Sequence, residues 1–314
     1  MKILHICQIA TPRVLKEVIS QQFAGLGVVK LFYSENWHRD LMGLVRNQMT
    51  WTNNNQLCLH LQTGMPWEVY HVHTSINNGD LVRVVRETVG PDARVVWDCN
   101  DWQPNKSPKF IQYADCVICP SVRMAEQVRK HGGRADTVYS MVPGFLFPDD
   151  QPKTKIGATI LVSGIGTEPH WRDYRQVQEK LGNRLFIMPG DLRQVSGYVN
   201  LLQPIPWLNM MNQIGQYESA YCGAANDRHR IDDCVTNKFW EAIASGLPLV
   251  LWRCDEMSEL CESIEWSNTG WDDQNQQYCD FLGQTQDERN QKRHAYAMET
   301  QLPVFARVYT EGKK

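Results

Sequence analysis

The residues with the clearest capacity for chemistry lie in one segment, residues 231–252, with the sequence IDDCVTNKFWEAIASGLPLVLW. Asp232 and Asp233 precede a predicted amphipathic helix, and Gly246 occupies the position of a left-handed helix end before the strand LPLVLW. The start of this helix, residues 235–238, presents free backbone N–H groups and the positive end of the helix dipole, which together bind anions. The segment therefore predicts an anion site at the helix start.

Lys238 and Glu241 extend this prediction. Lys238 lies in the first turn, where its charge opposes the helix dipole, and this mild cost is understandable if an anion such as a diphosphate binds there. Glu241 follows one turn later, in position to accept hydrogen bonds from a pair of sugar hydroxyls. The alternative is a surface helix on which both side chains are solvated.

The segment NKFWEAIASGLPLV resembles the donor-binding motif of retaining GT-B glycosyltransferases of the family 4 type. In that motif a carboxylate and a glutamate separated by seven residues flank the helix start, and here they are Asp233 and Glu241, with aspartate in place of the usual glutamate. The resemblance implies that Asp233 contacts the hydroxyls of the transferred sugar and Glu241 the nucleotide ribose. It also implies that Lys238 and the backbone at Thr236 and Asn237 hold the diphosphate. Asp232 is an alternative to Asp233.

The resemblance extends more thinly over nearly the whole chain. The stretch LVSGIGTEPHWRDYRQV resembles the first strand and loop of the family's C-terminal domain, which implies that the backbone at Gly164 and Gly166 and the side chain of Arg172 approach the phosphates. The backbone near residues 204–206 is expected to recognise the nucleobase.

The first half of the chain contributes a second group of candidates. His71 and His73 alternate on one face of a predicted strand, and the resemblance favours His73 as a ligand of the donor sugar. In the alternative interpretation, one histidine is in the core and the other is exposed. Asp98 and Asp101 follow the next strand, either at the mouth of the cleft or as caps of the following turn. The predicted catalytic residues are His73, Asp233 and Glu241. The candidates on the acceptor side are Arg13, Trp37, Arg39, Asp98, Asp101 and Trp102.

These residues are positioned by alternating strand and helix patterns, which are typical of parallel sheets covered on both faces. The alternation stops at residues 143–155, PGFLFPDDQPKTK, and then restarts, with a weaker strand predicted near residues 262–266. The predicted fold is α/β GT-B, with two doubly wound, Rossmann-like domains facing across a cleft. Residues 1–150 form the acceptor-side domain and residues 151–285 the nucleotide-sugar domain. Residues 286–314 form a helical segment that packs back on the first domain.

Composition excludes several other classes. The formal net charge of −3 is not that of a nucleic-acid-binding polycation, and no apolar run approaches the ~18 residues of a membrane span. The start MKILHICQ is typical of a buried strand rather than a signal peptide, so a cytoplasmic protein with reduced cysteines is expected. Motifs for serine hydrolases, P-loops and zinc proteases are missing, and so is the Asp-x-Asp pair that would present a metal to a diphosphate.

The predicted function is metal-independent transfer of a hexose or pentose from a nucleotide-diphosphate sugar to a hydroxyl acceptor, and the resemblance implies that the transfer proceeds with retention. The donor is a co-substrate linked to UDP or GDP, and no cofactor is expected. Two alternatives stay open. One is glycosylation of hydroxymethylated bases in viral DNA, with the basic residues 123–134 contacting phosphates. The other is a non-catalytic module that binds sugar nucleotides or glycans.

Overall fold

The computed structural model describes residues 1–36, 39–74, 79–148, 155–163, 173–189, 198–226, 234–272, 277–278 and 284–311. The chain divides into two compact units. The first comprises Met1–Pro143 with Met298–Lys314, and the second Gly144–Ala297. The segment after Thr285 is therefore shared between the two, since its first helix belongs to the second unit and its last helix to the first.

The first unit is built on a sheet of seven described strands in the order β3-β2-β1-β4-β5-β6-β7, and every neighbouring pair is parallel. Its strands are β1 (Lys2–Ala10), β2 (Val28–Asn36), β3 (Gln48–Thr50), β4 (Val69–Thr74), β5 (Arg94–Cys99), β6 (Cys116–Cys119) and β7 (Ala135–Thr137). Its helices are α1 (Pro12–Phe23), α2 (Arg39–Met42), α3 (Asn54–Thr63), α4 (Gly79–Val89), α5 (Val122–Lys130) and, from the end of the chain, α11 (Leu302–Thr310).

Strand register and helix capping bring the polar residues of the first unit together. On adjacent parallel strands, His5 pairs with His71, and His73 pairs with Asp98. Helix α1 begins where Thr11 accepts a hydrogen bond from the amide of Val14, with a proline in the first turn, so the helix starts directly after β1. This short connection directs the first turns of α1 over the same edge of the sheet.

The second unit has a sheet in the order β13-β12-β11-β10-β8-β9, parallel except for the short antiparallel pair β12 and β13. Its strands are β8 (Ile156–Ser163), β9 (Leu185–Pro189), β10 (Tyr217–Tyr221), β11 (Leu249–Leu251), β12 (Asn268–Asp272) and β13 (Gln277–Tyr278). Its helices are α6 (Arg175–Leu181), α7 (Trp207–Ile214), α8 (Asn237–Ala244), α9 (Asp255–Ser263) and α10 (Gln286–Lys292). Both units are thus Rossmann-like α/β domains, as the alternating pattern predicts.

Helix α8 has the form expected from its sequence. Its apolar side chains Phe239, Ala242 and Ile243 are buried. Gly246 has a φ of 67°, and the amide of Leu247 donates to the carbonyl of Ala242, which closes the helix end. A side chain at position 246 would oppose this left-handed turn, so glycine permits the chain to enter β11 directly.

One predicted strand is wrong. Residues 262–266 were expected to form a weak strand, but α9 continues to Ser263 and the strand that follows is β12, two residues beyond the predicted one. The apolar side chains of this stretch lie instead at the end of α9 and at Trp266. Trp266 is buried, and its indole donates to the carbonyl of Leu247. No helix among the described residues is long and apolar enough to cross a membrane.

The cysteines match the expectation of reduced thiols. All nine cysteines in the described part of the chain are free, and most are buried. Burial raises the pKa of Cys116, the first of the C-x-x-C pair, to about 12, the opposite of what a reactive thiol requires.

Candidate functional site

The first candidate site lies at the carboxyl edge of the second sheet. Strand β10 ends at Tyr221, and α8 begins at Asn237 before the chain returns in the parallel strand β11. In such a crossover the amino end of the helix lies at the carboxyl ends of the strands, which is where open α/β sheets bind ligands. The start of α8 is therefore at the edge predicted from the sequence.

Gly223 allows the backbone after β10 to lie close to the backbone of Trp252, which follows β11. A Cβ atom at this position would lie 2.5 Å from the carbonyl oxygen of Trp252 and 2.9 Å from the hydroxyl of Tyr221. Any side chain would therefore force the end of β10 away from the segment after β11. Sequence reasoning did not single out Gly223, because the clash involves a residue distant in the chain.

The start of α8 has few side chains that cap it. Thr236 is the N-cap residue and has extended backbone angles, but its side chain makes no capping hydrogen bond, and Oγ1 is 3.8 Å from the sulfur of Met257 instead. Thr236, Asn237 and Lys238 are all half-buried. The positive end of the α8 dipole therefore lies at a half-buried position, where water screens it less than at a fully exposed helix end.

Lys238 is held against an aromatic ring. Its Nζ donates to the hydroxyl of Tyr174 at 2.9 Å and lies 5.2 Å from the centre of the same ring. Tyr174 is itself buried and fixed, because its amide donates to the hydroxyl of Tyr198 at 2.9 Å and its ring packs edge-on against Tyr221. The ammonium group is thus positioned by the residues that begin α6.

Glu241 is buried, with 5% of its surface exposed. Its Oε1 accepts a hydrogen bond of 2.8 Å from the indole Nε1 of Trp207, the first residue of α7. A charge-assisted bond of this kind satisfies part of the hydrogen-bonding requirement of a buried carboxylate. Trp207 also directly follows residues 204–206, so it joins the segment predicted to recognise the base to the residue predicted to contact the ribose. Neither Trp207 nor Tyr174 was identified from the sequence, because both contacts join distant segments.

Several predicted residues lie outside the described part of the chain. They are Trp37, Gly164, Gly166, Arg172, Asp232 and Asp233. Their assignments therefore stay predictions.

The second candidate site is a buried polar network in the first unit, centred on Asp98. Arg13 donates to Asp98 from Nε and Nη2 at 3.1 Å, and from Nη1 to the carbonyl of Val138 at 3.1 Å. Burial opposes ionisation of Asp98, but Arg13 and His73 outweigh it and lower the pKa of Asp98 to about 2. Asp98 is therefore an ionised carboxylate with no exposed surface.

A chain of hydrogen bonds runs from Asp98 through three histidines. His73 Nδ1 is 2.9 Å from Asp98 Oδ2, and His73 Nε2 is 2.8 Å from His5 Nδ1. His5 Nε2 is 3.0 Å from Gln21 Oε1. His71 Nδ1 is 2.7 Å from the hydroxyl of Tyr309 in α11, and Gln21 Nε2 also donates to that hydroxyl. The network therefore connects β1, β4, β5, α1 and the last helix of the chain.

The network constrains the roles predicted for His71 and His73. Both histidines of β4 are buried, so the alternative interpretation, in which one of them is exposed, is wrong. Both ring nitrogens of His73 already lie within hydrogen-bonding distance of protein groups. A role for His73 in binding the donor sugar stays a prediction, and it requires one of these contacts to be exchanged.

The acceptor-side candidates fall into different environments. Arg13 and Asp98 are buried against each other, whereas Arg39 and Asp101 are exposed. Trp102 is half-buried, with its ring 6.4 Å from that of Trp97 and 5.5 Å from that of His131. The structure brings Arg13 together with Asp98 but does not group the other three with them.

The network contains groups that can ligate metal ions. One ligand atom each from Glu17, His71, His73 and Asp98 lie within 4.8 Å of one another. Two cations, Arg13 and Lys16, are already buried beside these carboxyl groups, so a divalent cation would add further positive charge to a fully buried cluster. Burial and the neighbouring Asp98 charge also raise the pKa of Glu17 well above its usual range, which reduces its capacity as a ligand further.

Comparison with known proteins adds information on the fold. No protein-family model and no curated protein matches the sequence. Among solved structures, the lipopolysaccharide outer core galactosyltransferase WaaB aligns with a TM-score of 0.59 and 11% identity, covering 98% of this chain and 99% of its own. An alpha-glucosyltransferase in complex with UDP and a 13-mer DNA containing an HMU base aligns with a TM-score of 0.60 and 9% identity, covering 99% and 100% of the two chains.

A protein of Listeria monocytogenes proposed to be a UDP-N-acetylglucosamine 2-epimerase also aligns, with a TM-score of 0.55, 8% identity and coverage of 100% and 97%. Proteins that transfer sugars and proteins that epimerise them therefore share this architecture. At these identities the similarity establishes the fold alone, and that fold is GT-B, with two Rossmann-like units.

The buried histidines predict how stability depends on pH. Burial and then the neighbouring His73 lower the pKa of His5 from 6.5 to about 3, so the folded protein keeps this ring neutral. Below pH 6.5 the unfolded chain takes up a proton that the folded chain refuses, and acidification therefore favours unfolding. Relative to His5→Asn, the wild-type free energy of unfolding should fall by about 1.4 kcal/mol per pH unit as the pH drops from about 6 to about 4. Urea unfolding of both proteins across that range measures the difference, and a constant difference would contradict the neutral His5.

Proposed function

We propose that this protein is a glycosyltransferase that moves a sugar from a nucleotide-diphosphate donor to a hydroxyl acceptor. The observation that carries the proposal is the start of α8, where Lys238 and the buried Glu241 lie one turn apart at the carboxyl edge of a Rossmann-like sheet. This arrangement offers a helix dipole and an ammonium to a diphosphate, and a carboxylate to the adjoining ribose. The resemblance of the α8 segment to a donor-binding motif supports the same assignment.

The proposed mechanism uses positioning and charge stabilisation. Lys238 and the amides of the first turn of α8 stabilise the charge that develops on the departing diphosphate. Asp233 is proposed to contact the hydroxyls of the transferred sugar. The acceptor hydroxyl attacks from the face that the diphosphate leaves, a diphosphate oxygen takes the acceptor proton, and the configuration is retained. No nucleophile from the protein is needed, because attack on the face that the diphosphate leaves retains the configuration without a covalent intermediate.

The basic residues around α5 do not favour DNA as the acceptor. Arg129 donates to the carbonyl of Ala135 at 2.9 Å, and Arg134 pairs with Glu311. His131 Nδ1 lies 2.8 Å from the carbonyl of Gln127. These three groups therefore contribute to the end of α5 and its surroundings, which accounts for part of the basic stretch without a nucleic acid. We propose a glycan or small-molecule hydroxyl as the acceptor.

The experiment that tests the proposal is a titration with a panel of nucleoside diphosphates, UDP, GDP, ADP, CDP and dTDP, followed by incubation with the sugar conjugates of any that bind. We expect one diphosphate to bind saturably and its sugar conjugate to be hydrolysed slowly without acceptor. Absence of binding by every diphosphate would contradict the proposal. Binding without hydrolysis or transfer would favour a non-catalytic module, and interconversion of the sugar without transfer would favour an epimerase.

Replacement of Lys238 by alanine should weaken diphosphate binding. The change removes one charge-assisted contact, worth about 1.5–3 kcal/mol, so calorimetry should show affinity falling at least several-fold. Lys292→Ala is the matched control, because Lys292 in α10 pairs with Glu265 rather than with α8. Equal affinities for wild type and Lys238→Ala would remove Lys238 from the site.

Turnover should survive chelation of metal ions. Within the described ranges, the clusters of potential metal ligands lie in the first unit, so Lys238 and the start of α8 are the proposed source of charge stabilisation. We therefore expect the same rate with and without excess EDTA. Loss of turnover that magnesium or manganese restores would overturn the donor site proposed here.

A further inference from the structure

We propose that Trp207 is a positioning residue that orients Glu241 toward the ribose hydroxyls of the donor. This inference rests on the proposed function, because it assigns a role to a residue at the same donor site. It goes further in that it names a residue outside the α8 segment that holds this carboxylate in place.

The contact is a buried, charge-assisted hydrogen bond. Trp207 Nε1 and Glu241 Oε1 are 2.8 Å apart, and the two residues are 6% and 5% exposed. A carboxylate taken out of water must receive hydrogen bonds, and a donor fixed on one oxygen restricts rotation of the whole group. Trp207 thus helps to fix the plane of the carboxylate.

The orientation matters because a ribose hydroxyl pair is a directional ligand. Two adjacent hydroxyls donate along defined lines, and a carboxylate that rotates freely loses entropy when it binds them. A carboxylate already held by an indole pays less of that cost. Trp207 should therefore affect the energy contributed by the hydroxyls more than the energy contributed by the phosphates.

The position of Trp207 in the chain supports a role beyond core packing. It is the first residue of α7 and directly follows residues 204–206, the segment expected to recognise the nucleobase. Its acceptor is a charged side chain on α8, one turn after Lys238. Trp266 in the same unit provides the contrast, since its indole donates at 2.9 Å to the backbone carbonyl of Leu247.

The test compares UDP with 2′,3′-dideoxyuridine diphosphate, or the corresponding pair for whichever diphosphate the wild type binds. We expect the wild type to bind the ribose form about tenfold more tightly, the equivalent of about 1.4 kcal/mol. In Trp207→Phe, which keeps an aromatic ring but has no N–H, this ratio should fall below about threefold. The control Trp266→Phe also loses a buried indole hydrogen bond and should keep the wild-type ratio.

Glu241→Gln tests the inference from the other side of the contact and keeps it decidable if Trp207→Phe does not fold. Its amide oxygen can still accept from the indole, which turns the NH2 group toward the ribose, so the discrimination between the two nucleotides should fall, because a neutral amide replaces a carboxylate that accepts from both hydroxyls. An unchanged ratio in Trp207→Phe would overturn the inference and leave the proposed donor site intact. An unchanged ratio in Glu241→Gln would overturn the inference and also remove Glu241 from that site, while Lys238 and diphosphate binding would stay as proposed. Absence of binding by the wild type to every diphosphate would overturn both.

Discussion

A carboxylate that stays ionised when it is removed from water requires hydrogen-bond donors, and this constraint shapes one cluster in each unit of the protein. In the first unit Asp98 has no exposed surface and receives its donors from the guanidinium of Arg13 and from the ring of His73. In the second unit Glu241 receives a donor from the indole of Trp207. Each carboxylate is on one element and its partner is on another, so satisfying the charge also fixes how those elements pack.

In the first unit the constraint extends to the end of the chain. His73 is within hydrogen-bonding distance of His5, and His5 is within hydrogen-bonding distance of Gln21. Gln21 also donates to the hydroxyl of Tyr309 in α11. The side chain of Arg94 at the start of β5 donates to the carbonyl of Val308 in the same helix. The last helix is therefore held on this unit by polar contacts as well as by the buried side chain of Phe305. Because these side chains are buried, replacing one of them would leave its partners without that hydrogen bond and without water to replace it.

In the second unit the same constraint acts on a charged residue of the proposed donor site. The parallel sheet places the start of α8 at its carboxyl edge, while Tyr174 and Trp207 position Lys238 and Glu241 from two other helices. A cation and a carboxylate are thus presented with limited freedom, which lowers the entropy lost when a ligand orders them. The proposed donor site depends on this preorganisation as much as on the identity of the two charged residues.

The local pattern of the sequence determined the elements and much of their order. The alternating apolar runs of β1, β4 and β5 and the helix-Gly-strand pattern around Gly246 are local signals, and each depends only on residues near in the chain. They were sufficient to predict two parallel-sheet units and to place Lys238 and Glu241 near the start of a helix at a sheet edge. The strand predicted near Trp266 is wrong, because a short apolar run can end a helix as readily as it can form a strand.

Only the tertiary structure decided which polar residues meet. His5, Gln21 and Tyr309 carry no motif, yet strand register and the return of α11 bring them into one network with His71. The partners of Lys238 and Glu241 lie dozens of residues away, and no local rule relates an indole at the start of one helix to a carboxylate in the next. Residue types and spacing determine the elements because the forces that form a helix or strand act over a few residues. The pairing of buried charges is decided by packing, which depends on the whole domain.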